Sequence, residues 1–200
     1  MLLERDLLDP DRPFVVRQSR PDLAKDAAFL ELCRLHPDLR LETDQDGTLV
    51  IMSPTGWRSS NRNARITAQL QAWADRDGTG QVSDSSGLFH VAGARRSPDA
   101  AWIRSDRLDQ VPASEQEHIL PMVPDFVIEL RSPSDRIQDL FAKMDEYVQN
   151  GVRLGWLIDP VERRCYEVRP GQRVVTFVNP SELRGDPELP GFTLELAQIW

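Results

Sequence analysis

The sequence predicts a mixed α/β (α+β) fold, with a central mixed β-sheet flanked by α-helices and preceded by a β-hairpin. Two observations lead to this prediction. Apolar residues recur at helical spacing in three separate segments, and short strand-like apolar runs lie between those segments. A chain that alternates helices and strands in this way packs them in layers around one core. We expect a single domain over residues 1–200, with residues 1–20 as an N-terminal extension.

Composition narrows the class of protein. A hydrophobic content of 40% is enough for a normal core. No apolar run approaches the roughly 20 residues of a membrane helix, and the charged N-terminus is unlike a secretory signal. Two cysteines without a CxxC pair and three scattered histidines argue against zinc. We therefore expect a cytoplasmic protein without membrane contact.

The net charge of −8 argues against a protein that coats nucleic acid non-specifically, because phosphate neutralisation drives such binding. A local basic groove remains compatible with this charge. Arginines cluster in three places, and the cluster on the second predicted helix is the best candidate for a nucleic-acid backbone contact. Its members are Arg58, Arg62 and Arg65.

The first half of the chain contains two helices and a hairpin. Residues 21–35 have an amphipathic pattern behind a Pro-Asp start, which predicts a short helix. The segment LRLETDQDGTLVIMSP predicts two strands around an Asp-Gly turn. Residues 58–76 carry apolar side chains at intervals of three and four and predict a second helix, which ends at the glycines of DGTGQ.

Strands dominate the second half. QVSDSSGLFHVAG and SPDAAWI predict two short strands joined by a Gly-Ala-Arg-Arg turn, and PDFVIELR is the most strand-like run. The residues that follow it predict a helix, with Ser132 as N-cap, Pro133 in the first position and Asp135 capping back. Apolar residues at helical spacing form a stripe along this helix, which is predicted to end at Asn150-Gly151. LGWLID predicts another buried strand, CYEVRPGQRVVTFV a hairpin, and FTLELAQIW the last segment.

A carboxylate in the apolar run FVIEL raises the question of function. Side chains two apart in a strand share a face, so Glu129 and Arg131 project together, opposite Leu130. An ionised glutamate in a buried strand is unfavourable unless a cation or a metal compensates it. Asp99 likewise leads into the apolar run AAWI. Two strand-borne carboxylates near a cation would suit a hard divalent ion such as Mg²⁺.

Simpler interpretations of the same residues remain open. Asp99 can be a turn or capping residue, and Glu129 can be a partly exposed residue in a surface ion pair with Arg131. Lys143 lies about 40° from Tyr147 around its helix, at the edge of the apolar stripe. From there its side chain can lean toward the sheet or extend to solvent along the helix surface.

Several segments together resemble the Uma-type family of restriction-endonuclease-like proteins, which belongs to the PD-(D/E)XK nuclease superfamily. They are LRLETDQDGTLVIMSPTG, SPDAAWI, PDFVIELRSPSD, KMDEYVQNGVRLGWLIDP and LPGFTLEL, in that order, from about residue 24 to the end. The resemblance implies a restriction-endonuclease-like core. It also implies hydrolysis of DNA phosphodiesters with Mg²⁺, or with Mn²⁺ as the alternative ion.

The resemblance assigns roles to particular residues. Asp99 and Glu129 would bind the metal, and the main-chain carbonyl of Leu130 would complete the protein ligands. Glu42 matches an acid ahead of the family's hairpin and would hold a second ion or a water. The superfamily pattern has lysine two residues after the second acid, where this chain has Arg131.

Guanidinium stays protonated, so Arg131 can clamp a phosphate but cannot act as a base. Two solutions to the missing lysine are open. A metal can lower the pKa of its own bound water, or Lys143 can reach back from the following helix. We favour Lys143, because the resemblance implies that the lysine can move to a helix, as it does in some relatives of the superfamily, and Arg131 would then clamp the phosphate.

Two other functions compete with a nuclease. The chain could be an inactive nuclease-fold module that binds nucleic acid or protein, or a structural protein whose ion pairs hold the sheet. Loss of stability in metal-free Asp99→Ala and Glu129→Ala would favour the structural role, whereas a nuclease site should gain stability when repelling carboxylates are removed. Cleavage of both DNA strands requires two sites, which is compatible with a homodimer.

Overall fold

The computed structural model describes residues 15–52 and 55–200. Within these residues the strands are β1 (Val15–Ser19), β2 (Arg40–Thr43), β3 (Thr48–Met52), β4 (Gly80–Asp84), β5 (Phe89–Val91), β6 (Ala94–Arg96), β7 (Ala100–Arg104), β8 (Phe126–Leu130), β9 (Leu154–Asp159), β10 (Arg164–Val168), β11 (Val175–Val178), β12 (Glu182–Arg184) and β13 (Thr193–Glu195). The α-helices of the same residues are α1 (Asp26–Leu35), α2 (Trp57–Asp77), α3 (Ser105–Leu108), α4 (Ala113–Gln116) and α5 (Ile137–Gln149), and Pro21–Ala24 form a 3-10 helix. No helix in this described part is both long and apolar enough to cross a bilayer.

A six-stranded mixed sheet forms the centre, in the order β11-β10-β9-β8-β7-β4. In this sheet, as the described residues form it, β8 and β9 are parallel and the other neighbouring strands are antiparallel, and α5 makes the crossover between β8 and β9. A second, antiparallel sheet has the order β1-β3-β2-β6-β5 and includes the predicted hairpin of β2 and β3. The predicted mixed sheet with flanking helices and a hairpin is therefore confirmed.

The predicted N-terminal extension is only partly described. Residues 1–14 lie outside the described residues. The next five residues form β1, which pairs antiparallel with β3 at the edge of the second sheet. The end of the predicted extension is thus a strand of that sheet.

Strand alternation separates two cores on the central sheet. Phe126, Ile128 and Leu130 pack on the face covered by α2 and the C-terminal segment. Val127 packs on the opposite face with Met144 of α5. The assignment of alternate β8 residues to opposite faces is therefore correct, and it places Glu129 on the α5 side.

The predicted Gly-Ala-Arg-Arg turn is wrong in its position. The left-handed turn residues are Ala92 (φ 50°) and Gly93 (φ 89°), and the next three residues form β6. Arg95 and Arg96 are 2% and 7% exposed. Two adjacent arginines indicate a solvent-exposed turn, but here carboxylates from distant elements pair with both, so they are tolerated inside.

The predicted start of the third helix is also wrong. α5 begins at Ile137, and Arg136 is its N-cap. Ser132 and Asp135 do exchange the expected bonds, since Ser132 N donates to Asp135 Oδ2 at 2.7 Å and Asp135 N donates to Ser132 O at 3.1 Å. These bonds close a separate turn, so local capping chemistry is satisfied before the helix begins.

Candidate active site

Asp99 and Glu129 meet at one edge of the central sheet. β7 and β8 are antiparallel, with Ala100 opposite Ile128, so the residue before β7 lies beside the end of β8. The Oδ2 atom of Asp99 accepts a hydrogen bond from the backbone N–H of Leu130 at 2.8 Å. Because the N–H and C=O of one strand residue point to the same side, the Leu130 carbonyl is directed toward Asp99 as well.

Glu129 is held by α5. Its side chain is buried, with only 4% of the residue exposed. The hydroxyl of Tyr147 donates to Glu129 Oε1 at 2.9 Å, and Lys143 Nζ lies 2.9 Å from the same oxygen. Lys143 and Tyr147 are four residues apart and therefore lie on the same side of α5. Glu129 is thus neither partly exposed nor paired with Arg131.

Glu42 reaches the same lysine from the second sheet. Its Oε1 atom accepts hydrogen bonds from Lys143 Nζ at 2.9 Å and from the backbone N–H of Ser97 at 3.0 Å. Arg96 lies 3.4 Å from its other oxygen. Lys143 therefore bridges two buried carboxylates that come from different sheets.

The buried charges shift one another's pKa values. Burial, together with the carboxylates of Asp99 and Glu42, raises the pKa of Glu129 to about 7 although Lys143 acts in the opposite direction. For Glu42, burial also raises the pKa, but Lys143 and Arg96 outweigh it and hold the pKa below its usual value. The pKa of Lys143 is raised despite its burial, because Glu129 and Glu42 favour its charged form. Of these two carboxyls, Glu129 is consequently the less compensated.

A cavity of about 480 Å³ opens at this edge. Asp99, Glu129 and Lys143 line it, and its other cations are Arg40 and Arg58. A second groove of about 980 Å³, rich in carboxylates, shares Lys143 and four other lining residues with the first. Lys143 therefore lines both open spaces.

Arg131 has a different environment. Its Nη1 atom lies 2.6 Å from Oδ2 of Asp159, the buried last residue of β9. Arg131 lines neither the cavity nor the groove described above. To act as the predicted phosphate clamp, the Arg131 guanidinium would have to leave Asp159. The phosphate-clamp role of Arg131 stays a prediction.

We expect Arg131→Met to lower the free energy of unfolding by about 1–3 kcal/mol, because a buried carboxylate loses its cation. Two backbone N–H groups, of Val161 and Glu162, still donate to Asp159 and limit the loss. Urea unfolding of the single variants and of Arg131→Met/Asp159→Asn would give the coupling energy of the pair. Unchanged stability in Arg131→Met, combined with loss of cleavage, would instead assign Arg131 to the active site.

Asn63 is a site residue that the sequence analysis missed. Its Nδ2 atom donates to Asp99 Oδ1 at 3.0 Å, beside Arg40 Nη1 at 3.3 Å. Its own oxygen is buried and has no hydrogen-bond partner in the described part of the chain. Asn63 precedes Ile66 and Leu70 by three and seven residues, so a polar side chain on the apolar face of α2 was the available signal.

The donor set fits a hard divalent ion. Two carboxylates on neighbouring strands, the Leu130 carbonyl and the unpartnered oxygen of Asn63 are oxygen donors, which Mg²⁺ and Mn²⁺ prefer. Among residues 15–52 and 55–200, no three acidic, histidine or cysteine side chains form a ready metal cluster. A bound ion would therefore keep waters or take substrate oxygens, as Mg²⁺ usually does.

Two of the three α2 arginines that the sequence suggested for a nucleic-acid backbone contact are bonded within the protein. Arg62 Nε donates to the backbone oxygen of Ile199, and Arg65 bonds to Gln198 and Asn61. Arg58 alone of the three arginines lines the cavity.

Comparison with known proteins shows the family to which the chain belongs. No protein with a curated description matches the chain significantly. A crystal structure of a "putative nuclease belonging to DUF820" from Anabaena variabilis is similar to it, with a TM-score of 0.70, 18% identity, and coverage of 80% of this chain and 88% of that one. That likeness supports the fold. Residues 26–197 match the family described as "Uma2: Putative restriction endonuclease", so the chain belongs to this family, and its function is nuclease-like.

Proposed function

We propose that this protein is a divalent-metal-dependent endonuclease that hydrolyses phosphodiester bonds in DNA. The observation that carries the proposal is the position of Lys143, whose Nζ lies 2.9 Å from Glu129 Oε1, beside the Asp99 edge of the sheet. A lysine next to the second acid is what the superfamily pattern requires, and here the lysine comes from α5.

Each residue has a distinct role in this proposal. Asp99, Glu129 and the Leu130 carbonyl hold the ion, and Glu42 orients Lys143 through its 2.9 Å contact with Nζ. Lys143 donates to the scissile phosphate and stabilises the negative charge that develops on it. Arg40 lines the same cavity and offers a second donor to the phosphate.

Mg²⁺, or Mn²⁺ as the alternative, would supply the positive charge that activates water and neutralises phosphate oxygen. Without an ion, burial raises the pKa of Glu129, and the negative charges of Asp99 and Glu42 raise it further. This mutual repulsion favours binding of a cation at the site.

One observation favours the inactive binding module as a second candidate. Lys143 already compensates Glu42 and Glu129, so the fold does not require an ion to tolerate these carboxylates. A descendant that had lost metal binding could keep the same arrangement and contact nucleic acid or protein through the surface alone.

We further propose that the protein acts in the cytoplasm on DNA, and as a homodimer when both strands are cut. Two copies supply two sites, whereas one copy supplies one. Analytical ultracentrifugation with and without DNA would give the oligomeric state.

The test is a cleavage assay with labelled single-stranded and double-stranded oligonucleotides. Wild-type protein should cleave with Mg²⁺ or Mn²⁺ and not with EDTA. Asp99→Asn, purified identically, should be inactive and controls for contaminating nucleases. Equal product from both proteins would reject the proposal. So would the absence of cleavage together with no metal binding by calorimetry in the presence of DNA, and that outcome would leave the binding module.

A further inference from the structure

Trp57 is exposed at the mouth of the candidate active site. It is the first residue of α2, and it is 81% exposed. Trp73, Trp102 and Trp156 are buried in the core, and Trp200 is partly buried against it. Within residues 15–52 and 55–200, no other aromatic ring contacts Trp57. A large aromatic surface left in water is unfavourable and often marks a binding site.

The same cavity joins this ring to the catalytic edge. Trp57 lines the cavity of about 480 Å³ whose lining also includes Asp99, Glu129 and Lys143. A ligand that fills this cavity can therefore contact the indole with one of its groups and the carboxylates with another. This connection distinguishes Trp57 from the other exposed apolar side chains, such as Val178 on β11.

Two arginines line the cavity together with Trp57. Arg58 is exposed, and no carboxylate of the described residues pairs with it. Arg40 also lines the cavity, and its Nε atom is buried without a hydrogen-bond partner in the same part of the chain. An exposed aromatic face that shares a cavity with the unpaired guanidinium of Arg58 matches a ligand with a flat ring and a phosphate, which is the chemistry of a nucleotide.

We propose that the substrate is nucleic acid with an unpaired nucleotide, whose base stacks on Trp57 while its phosphate reaches the Asp99–Glu129 edge. This proposal rests on the proposed nuclease function and specifies its substrate class. A base within a duplex has both faces covered by its neighbours and its edge paired, so it cannot present a face to Trp57. The substrate segment is therefore a single strand, or a base displaced from a duplex.

Cavity size and surface charge support an unpaired substrate. A volume of about 480 Å³ falls within the roughly 300–1,000 Å³ typical of pockets for one small ligand, which suits a single nucleotide. Long contacts with a duplex backbone require many free cations. Arg62 and Arg65 are instead bonded to the C-terminal segment, and the net charge is −8.

The test measures binding in EDTA, where the proposed reaction cannot occur. Fluorescence anisotropy at fixed low salt would compare a labelled single strand with a blunt duplex of the same sequence. The full-length wild-type protein should bind the single strand more tightly. Trp57→Ala and Trp57→Leu should weaken single-strand binding about tenfold, and Trp57→Phe should retain most of it, because stacking requires an aromatic ring. Val178→Ala, which removes an exposed apolar side chain elsewhere, should bind like the wild type.

Several results would overturn this proposal. They are undetectable single-strand binding by the wild type, equal binding by Trp57→Ala, and equal binding by Trp57→Leu and Trp57→Phe. Conversion of a dimer to a monomer by Trp57→Ala, seen by ultracentrifugation without DNA, would reassign the ring to a contact between copies. Unchanged Trp57→Ala binding with intact metal-dependent cleavage would reject the stacking site and keep the nuclease. Trp57-dependent binding without cleavage would support the stacking site and reject the nuclease.

Discussion

Replacement of Glu129 by glutamine should make the metal-free protein progressively more stable than the wild type as the pH rises from 4 to 8. The pKa of Glu129 is raised from its ordinary value of 4.5 to about 7 in the folded protein. The folded state therefore holds this proton more tightly than the unfolded state, and the resulting stability is lost as the pH rises from 4.5 through 7. Glutamine does not titrate, so the variant avoids this loss.

The expected change in unfolding free energy is large for Glu129→Gln, which replaces a single heavy atom. The difference in unfolding free energy, variant minus wild type, should increase by roughly 3 kcal/mol between pH 4 and pH 8. Tyr147 and Lys143 can both still donate to the glutamine oxygen that replaces Oε1, so packing and hydrogen bonding are retained. Urea unfolding in EDTA at pH 4, 6 and 8 measures the difference directly.

Glu42→Gln is the matched control, because its pH dependence should have the opposite sign. The pKa of Glu42 is lowered in the folded state, where Lys143 and Arg96 outweigh burial. Its contribution to stability is present above the unfolded pKa and is lost as the pH falls through the folded value. Glu42→Gln should therefore become less stable than the wild type as the pH rises. Parallel pH profiles for the two glutamine variants would contradict this account of the site.

Bound metal should make the wild type more stable than Glu129→Gln at pH 8, which is the reverse of the order expected without metal. An ion that binds only the folded state stabilises it by mass action. Added Mg²⁺ or Mn²⁺ should thus raise the melting temperature of the wild type and leave Glu129→Gln unchanged, and cleavage by that variant should fall by about 10³. A metal-dependent rise of equal size in both proteins would place the ion elsewhere.

The parts of the site that lie on β8 and α5 could be predicted because regular periods place them. The period of two in β8 separates Glu129 from Leu130, and the period of 3.6 in α5 places Lys143 near Tyr147. Local geometry allowed the Lys143 side chain to lean toward the sheet or to extend into solvent, and the family resemblance favoured the sheet. The contact between Glu42 and Lys143 spans 101 residues and two sheets. No local pattern specifies such a contact.

The two wrong predictions, the turn at Arg95 and Arg96 and the helix start at Ser132, both came from local sequence patterns that allow more than one structure. Local chemistry indicated a solvent-exposed turn at Arg95 and Arg96, and a helix start at Ser132. The arginines are buried because distant acids, Asp26 and Glu146 among them, compensate their charge. The turn at Ser132 satisfies its own hydrogen bonds and does not need the helix. In both places tertiary contacts, or a turn that satisfies itself, decided between structures that the local sequence allows equally.

Replacement of Lys143 by methionine should lower both the stability of the protein and its cleavage of DNA. Nζ lies 2.9 Å from Glu42 and 2.9 Å from Glu129, and 13% of the lysine side chain is exposed. Its removal leaves two buried carboxylates without their shared cation, which typically costs about 3–5 kcal/mol. The loss should be greatest at pH 8 and should shrink in acid as the carboxylates take up protons. Urea unfolding at both pH values measures it.

The double variant Lys143→Met/Glu42→Gln separates the structural from the catalytic contribution of the lysine. Removing the Glu42 charge takes away one of the two carboxylates that lost Lys143, and Arg96 at 3.4 Å already compensates part of that charge, so we expect the double variant to regain part of the lost stability. It cannot regain a donor to the phosphate, so cleavage should remain about 10²–10³ below wild type. Arg131→Met should lose far less cleavage under the same conditions, since its guanidinium pairs with Asp159 and would contribute only a phosphate clamp. Recovery of cleavage together with stability in the double variant would mean that Lys143 only holds the fold. A loss of cleavage in Arg131→Met as large as that in Lys143→Met would return the missing lysine's role to Arg131.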